Sequence, residues 1–137
     1  MQLTPLIAIH LSAALAATVI GPIALWARRR GHVRTRLHRA AGYAWVTLML
    51  VTSVSAVFIR DFKLPNLAGY TPIHLLVPIT LGTLAIAFWY LAKGRIQAHQ
   101  RSMLALYIGG CLVAGSFTLM PDRYLGQLVL GQWLGLA

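Results

Sequence analysis

The chain has 137 residues, of which 58% are hydrophobic and only 10% are charged. A typical soluble domain carries about 25% charged residues, so this composition excludes an ordinary soluble fold and indicates that lipid covers the surface. The formal net charge of +10 does not indicate nucleic-acid binding, because the arginines cluster between two apolar runs and leave no helix or strand free to enter a groove.

Four apolar runs are long enough to cross a bilayer, which takes about 20 helical residues. None of them contains Asp, Glu, Lys or Arg, and the backbone of such a run in lipid is satisfied within a helix. We therefore predict an all-α integral membrane protein, a single domain built as a four-transmembrane-helix bundle. The predicted spans are Thr4–Ala27, Ala40–Ile59, Pro72–Ala92 and Ser102–Met120.

The remaining tail, residues 122–137, is too short to be assigned as a further span. It carries apolar side chains at Leu125, Leu128, Val129 and Trp133. This spacing predicts a short C-terminal helix that lies in the membrane interface.

Basic residues are distributed unequally among the three loops. The loop Arg28–Arg39 holds six arginines and the loop Lys93–Arg101 holds three basic residues, whereas the middle loop Arg60–Thr71 holds two basic residues and one acid. By the positive-inside rule the first and third loops are cytoplasmic. We therefore expect both termini on the periplasmic or exterior side.

The sequence contains a weak internal repeat, with one hairpin at about residues 4–60 and the other at about 71–121. Trp26 and Trp89 stand 63 positions apart, as do Gly31 and Gly94. Each hairpin carries one histidine in its first helix and one at the start of its second, namely His10 and His38, then His74 and His99. Both hairpins have the same topology, which indicates two tandem helical hairpins related by an axis along the membrane normal.

An ionisable residue in a membrane helix indicates a functional site, and here every predicted helix has a histidine. The repeat places His10 with His74 near the exterior and His38 with His99 near the cytoplasm. Paired axial imidazoles between helices are the ligands of a b-type haem. We therefore predict one or two haem b groups whose iron is bound by His10, His38, His74 and His99.

Haem propionates are anionic and seek basic partners. On the cytoplasmic side the sequence offers Arg39 and Arg101, and also Arg36. On the exterior side it offers Lys63, Arg123 and the hydroxyl of Tyr70.

Other chemistries lack their residues. The chain has no glutamate and no H-E-x-x-H or G-x-S-x-G motif, which excludes di-iron carboxylate, zincin and serine-hydrolase sites. There is no C-x-x-C-H motif, so c-type haem attachment is not expected. Two histidine pairs at opposite depths do not converge on one tetrahedral zinc site.

Two short motifs resemble a family of bacterial predicted membrane proteins of unknown function. These are His38-Arg39-Ala40-Ala41-Gly42-Tyr43 and Ala98-His99-Gln100-Arg101-Ser102-Met103. They match motifs of the types H-R-x-x-G and H-x-R-x-M, each at the start of a helix. The resemblance covers roughly residues 5–125. More distantly, the histidine constellation resembles the four-helix di-haem cytochromes b of bacterial inner membranes. That resemblance implies haem ligation by the four histidines, electron exchange with quinone and a multi-pass protein of the bacterial inner (cell) membrane.

The sequence therefore predicts a haem-binding membrane protein that transfers electrons across the bilayer, with quinone as one partner. A membrane-bound haem oxidoreductase is one form that such a protein takes, and the sequence leaves open whether this chain is an enzyme. One alternative is a non-catalytic subunit or scaffold of a larger membrane complex. Another is a small homo-oligomeric transporter in which the histidines act as pH-sensitive gates.

Overall fold

The computed structural model describes residues 4–29, 35–60, 62, 67–120, 124–133 and 135. Most of these residues are helical, and apart from one isolated bridge between Leu67 and Tyr70 none of them is in extended pairing. The prediction of an all-α chain is confirmed for this part of the sequence.

The first two helices form a long hairpin. Helix α1 spans Pro5–Arg29 and helix α2 spans Thr35–Phe58, and they pack along their whole length. The two helices are antiparallel, because the start of each one is hydrogen-bonded to the end of the other. The second apolar run was predicted to begin at about Ala40 and its helix at His38; α2 begins at Thr35 and therefore includes part of the basic segment before that run.

The second hairpin begins with a short 3₁₀ helix, Pro72–Leu75, and continues as helix α3, Leu76–Ala92. The chain then turns at Gly94, whose φ of 69° is a left-handed conformation that glycine adopts without steric cost. Helix α4, Ile96–Leu106, follows directly and packs against α3. The turn between these helices is therefore shorter than the predicted loop Lys93–Arg101.

A π-helical segment, Tyr107–Val113, follows α4 and leads directly into helix α5, Ala114–Phe117. Among the described residues, three helical stretches are long and apolar enough to cross a membrane, namely Pro5–Ala27, Arg36–Phe58 and Pro72–Ala92. The predicted fourth span is divided by the π-helical segment and is not confirmed as a span. The tail forms helix α6, Tyr124–Gly126, and a second π-helical segment, Gln127–Trp133; its location in the interface stays a prediction.

The helices share one buried core at mid-length. It combines side chains from α1, α2, α3, α4 and the first π-helical segment: Ala17, Trp45, Met49, Leu84, Leu106 and Cys111. The outer surface remains strongly apolar, with large side chains such as Val19, Phe58 and Ile79 more than half exposed. An apolar surface of this extent suits lipid and not water.

Candidate functional site

His38 and His99 occupy equivalent positions in the two hairpins. His38 is the fourth residue of α2, and His99 is the fourth residue of α4. Nδ1 of His38 lies 2.9 Å from the carbonyl oxygen of Ala24 in α1, and Nδ1 of His99 lies 2.9 Å from the carbonyl oxygen of Ala87 in α3. Ala24 and Ala87 are 63 positions apart, the same offset as the tryptophans. The two hydrogen bonds therefore lie at equivalent positions of the two hairpins.

The hydrogen bonds determine where the proton sits on each ring. A carbonyl oxygen only accepts, so Nδ1 of both His38 and His99 carries the proton and donates it. In the neutral imidazole Nε2 then keeps a lone pair, and no described residue donates a hydrogen bond to it. His99 is only 6% exposed and its ring packs against Phe88, so α4 is held tightly against α3 at this point.

His10 makes a similar contact near the other end of the bundle. Its Nδ1 lies 3.0 Å from the carbonyl oxygen of Thr52 and 3.0 Å from Oγ of Ser55, both in α2. Because Thr52 offers only an acceptor, Nδ1 again carries the proton and Nε2 keeps the lone pair. His10 therefore joins the start of α1 to the end of α2.

His74 differs from the other three, because both of its ring nitrogens are engaged. Nε2 donates to the carbonyl oxygen of Ile59 at 2.8 Å, and Nδ1 accepts from the backbone N–H of Thr71 at 3.1 Å. The Tyr70 ring and the imidazole pack in a T-shaped arrangement with their centroids 5.2 Å apart, and the Arg60 guanidinium lies over the Tyr70 ring. A ligand role for His74 would require one of these hydrogen bonds to break.

The four histidines thus lie in two layers. His10 and His74 both bond to the last part of α2 or to the residue after it, and His38 and His99 both bond to the last turns of the preceding helix. Within the described part of the chain, no group of three or more His, Cys, Asp or Glu side chains is close enough to hold a metal ion. Metal binding by histidine alone would therefore use pairs, as in bis-histidine haem ligation.

The three arginines predicted to bind haem propionates on the cytoplasmic side have exposed side chains. Arg36 and Arg39 lie in the first turns of α2, and Arg101 lies in α4, so all three belong to helices and not to loops. Tyr70 lies beside His74 on the other side of the bundle. Of the remaining exterior candidates, Lys63 and Arg123 lie outside the described residues, as do both acids of the chain, Asp61 and Asp122.

An open groove of about 510 Å³ runs between the outer faces of α1 and α2. Its lining is almost entirely apolar and includes none of the four histidines: Ala8, Ile9, Ser12, Ala13, Ala16, Leu48 and Val51. The groove is therefore suited to an apolar molecule or lipid chain, and its histidine-free lining offers no axial ligand.

Sequence reasoning missed a polar cluster at the centre of the bundle. The hydroxyl of Tyr107 donates to the carbonyl oxygen of Thr18 at 3.1 Å. That oxygen lacks its helical donor, because the residue four positions later is Pro22, which has no N–H. Gly21 provides the space for the ring, since a Cβ at Gly21 would lie 2.6 Å from two carbons of Tyr107. The proline within a span was the signal that could have predicted a side-chain donor here.

The same cluster contains sulfur and an indole. Sγ of Cys111 lies 3.8 Å from Sδ of Met49, and Trp45 packs beside both in the core. Cys111 and Tyr107 belong to the π-helical segment, and such segments are frequently found at functional sites. The cluster connects α1, α2 and the segment after α4 about midway between the two histidine layers.

Comparison with known proteins identifies the family. A family model described as "Predicted membrane protein (DUF2306)" matches residues 7–130, and the chain therefore belongs to this family of predicted membrane proteins. No curated protein and no solved structure matches the chain. The match agrees with the first resemblance seen in the sequence, and the comparisons add no support for the second, to di-haem cytochromes b.

Proposed function

We propose that this member of the predicted-membrane-protein family binds haem b and carries electrons across the bilayer, with quinone as one partner. One observation carries the proposal: three histidines in the helices donate Nδ1–H to a backbone carbonyl and keep Nε2 as a lone pair. Histidines that bind metals almost always have this arrangement, because the second hydrogen bond fixes the tautomer and the ring orientation.

The cytoplasmic layer is the better supported haem site. His38 and His99 are equivalent in the repeat, no described residue bonds to Nε2 of either ring, and the nearby Arg36, Arg39 and Arg101 are exposed. Guanidinium groups bind anionic carboxylates such as propionates. At the exterior layer no described residue bonds to Nε2 of His10, and we propose that His74 completes that site by giving up its hydrogen bond to Ile59.

The groove between α1 and α2 supports quinone as the electron carrier. It lies on the exterior half of the hairpin, close to the layer that contains His10, and is lined by apolar side chains. A lipid-soluble quinone reaches such a groove from within the bilayer, whereas a water-soluble carrier does not.

The transmembrane route needs the helical residues 96–117 as the fourth crossing. Their α-helical and π-helical parts follow one another directly. The apolar part, residues 102–117, has 16 residues and extends about 24 Å at the α-helical rise, so this crossing requires local thinning of a hydrocarbon core of about 30 Å. With four crossings and the basic residues of α2 and α4 in the cytoplasm, both termini face the exterior of the inner membrane.

Reporter fusions test this topology. We expect a fusion after Ala137 to report the exterior, and a fusion at Gly94 to report the cytoplasm, because the basic residues stay on the cytoplasmic side. A fusion at Gly69, in the less basic middle connection, is the matched control and should report the exterior. A cytoplasmic signal after Ala137 would contradict four crossings.

Absorption spectroscopy tests the haem proposal. The protein, expressed with a supply of haem and purified in detergent, should show a Soret band and a positive pyridine haemochrome assay. His38→Ala and His99→Ala should remove the same spectral component, and His10→Ala and His74→Ala should remove the other. His32→Ala is the matched control, because that histidine has no counterpart in the repeat; it should change nothing.

Two results would contradict the proposal. The first is a well-folded protein that takes up no haem. The second is the loss of the same spectral component in His10→Ala and in His38→Ala, because these two histidines lie in different layers. The first result would favour a second candidate function, a non-catalytic subunit or scaffold. The buried hydrogen bond from His99 to Ala87 favours that candidate, because it accounts for a histidine in the helix without any cofactor.

A further inference from the structure

The turn between α3 and α4 carries basic and aromatic side chains close together. Lys93 and Arg95 flank Gly94, and both of their side chains are exposed. The guanidinium of Arg95 lies 5.3 Å from the centre of the Tyr90 ring, which is within the range of cation–π attraction. The Tyr90 and Trp89 rings have their centres 5.3 Å apart, and Trp89 is 52% exposed. Trp89, Tyr90, Lys93 and Arg95 together form the turn cluster.

Backbone hydrogen bonds hold this turn in one shape. The N–H of Arg95 donates to the carbonyl oxygen of Tyr90 at 2.8 Å, and the N–H of Gly94 donates to the carbonyl oxygen of Leu91 at 3.0 Å. With the φ of 69° at Gly94, these two bonds make a Schellman motif. Because backbone donors satisfy these carbonyl oxygens at the end of α3, the side chains of Lys93 and Arg95 are not needed to cap the helix.

The turn cluster lies at the depth of the lipid headgroups. The candidate span Pro72–Ala92 ends at the residue immediately before Lys93, so the hydrocarbon core ends at about this level of the chain. Tryptophan and tyrosine are enriched at membrane–water interfaces, where their rings contact lipid and their polar atoms contact headgroups. The exposed Trp89, one turn before Lys93, has this position.

The positive charge at this end of the bundle is not compensated by the protein. The chain has only two acids, Asp61 and Asp122, which follow the far ends of α2 and α5 in the sequence and lie outside the described residues. The first turn of α4 contains no acid, and α4 adds the exposed Arg101. The surface around Lys93 and Arg95 therefore complements a partner with negative charge, and at this depth the bilayer supplies one in the headgroups of anionic phospholipids.

We propose that the turn cluster binds the headgroup of an anionic phospholipid. The planar guanidinium of Arg95 donates two N–H groups to the phosphate, a geometry that arginine favours, and Lys93 adds a second positive charge. Trp89 packs beside the glycerol and the upper part of the acyl chains. This surface uses none of the arginines proposed to bind propionates and does not depend on haem, and in the orientation proposed above the lipid belongs to the cytoplasmic leaflet.

The other end of α3 offers a matched control. The guanidinium of Arg60 lies 5.3 Å from the centre of the Tyr70 ring, the same distance as between Arg95 and Tyr90. Arg60 is followed in the sequence by Asp61, an acid that opposes its charge. A change at Arg60 therefore removes an arginine with the same aromatic contact from the opposite side of the bilayer.

Tryptophan quenching by brominated lipids tests the proposal. The full-length protein is reconstituted in phosphatidylcholine vesicles in which a rising fraction is either brominated phosphatidylglycerol or brominated phosphatidylcholine. The difference between a chain with Trp89 and the same chain with Trp89→Phe isolates the Trp89 signal. We expect a preference for phosphatidylglycerol of about 5-fold to 25-fold, since each basic residue near an anionic surface contributes about fivefold. The double change Lys93→Gln with Arg95→Gln should bring the two lipids to within about twofold of each other.

Salt and the control variant decide whether charge at this turn is the cause. Raising the salt from about 0.1 M to about 1 M shortens the Debye length from about 10 Å to about 3 Å, so the preference of the unchanged protein should fall several-fold. Arg60→Gln should leave the preference unchanged. If the double variant does not fold, as judged by gel filtration and circular dichroism, the salt dependence decides the matter.

Four results would overturn the proposal. They are equal quenching of Trp89 by the two brominated lipids, a preference that salt does not change, the same loss of preference in Arg60→Gln as in the double variant, and displacement of phosphatidylglycerol by inorganic phosphate at constant ionic strength. The last result would show that the turn cluster binds a soluble anion and not a lipid.

Discussion

Gly21→Ala is expected to destabilise the bundle by up to about 2 kcal/mol. The added Cβ would lie 2.6 Å from two ring carbons of Tyr107 and 3.0 Å from Nε1 of Trp45, and overpacking of this kind costs about 1–3 kcal/mol. Alanine favours a helix over glycine by about 1 kcal/mol, which offsets part of the cost. We expect the clash to prevail, because the ring is held in place by its hydrogen bond to Thr18.

Reversible unfolding in mixed detergent measures this effect, and two comparisons isolate its cause. Gly42→Ala in α2 is the matched control, because its Cβ would meet nothing within 4 Å; this change should stabilise by up to about 1 kcal/mol. In a Tyr107→Ala background only the 3.0 Å contact with Nε1 of Trp45 remains, so Gly21→Ala should cost clearly less than it does in the wild type. The same destabilisation in both backgrounds would show that Tyr107 does not pack against Gly21.

Tyr107→Phe is expected to destabilise the protein by about 1–2 kcal/mol, near the upper end for hydrogen bonds inside membranes. The change removes only the hydroxyl that donates to the Thr18 carbonyl. That oxygen has no helical donor because of Pro22, so it stays unsatisfied in an apolar environment. An ordinary helical carbonyl would retain its backbone bond after the same change.

A double-mutant cycle with Pro22→Ala measures this dependence. Alanine at position 22 restores the N–H that Thr18 lacks, so Tyr107→Phe should cost less than about 0.5 kcal/mol in that background. Tyr43→Phe, at an exposed site on α2, is the control and should be neutral within about 0.5 kcal/mol. If Tyr107→Phe costs the same with and without Pro22, the hydroxyl does not serve the carbonyl that the proline leaves free.

The apolar runs determined the helices but not where they begin. The second and fourth runs were expected to start at Ala40 and Ser102, whereas α2 and α4 begin at Thr35 and Ile96. A charge ends an apolar run because it avoids the hydrocarbon, but Arg is a good helix former. The helices therefore continue through their basic ends into the headgroup region. His38 and His99 consequently lie about one turn after the first residue of α2 and of α4.

The positions of the histidines within their helices could be predicted from the sequence, but their hydrogen-bond partners could not. Matched spacing placed His38 and His99 at equivalent helix starts, and the structure puts each of them fourth in its helix. Spacing could not show that His74 differs from the other three histidines. Its Nε2 is hydrogen-bonded because the carbonyl oxygen of Ile59, just after α2, lies beside it. Ring-nitrogen availability depends on atoms that are distant in sequence.

The sequence by itself determined the membrane environment, the helical class and the apolar extent of the spans. These follow from composition, because lipid requires each backbone group of a span to be satisfied within its own helix. Only the tertiary structure decided the central cluster, in which Thr18, Trp45 and Cys111 come from three separate elements. The π-helical segment also belongs to this second class, and its first residue, Tyr107, packs against Gly21 of α1. Packing between helices is a property of paired surfaces, and no single stretch of the chain contains both of them.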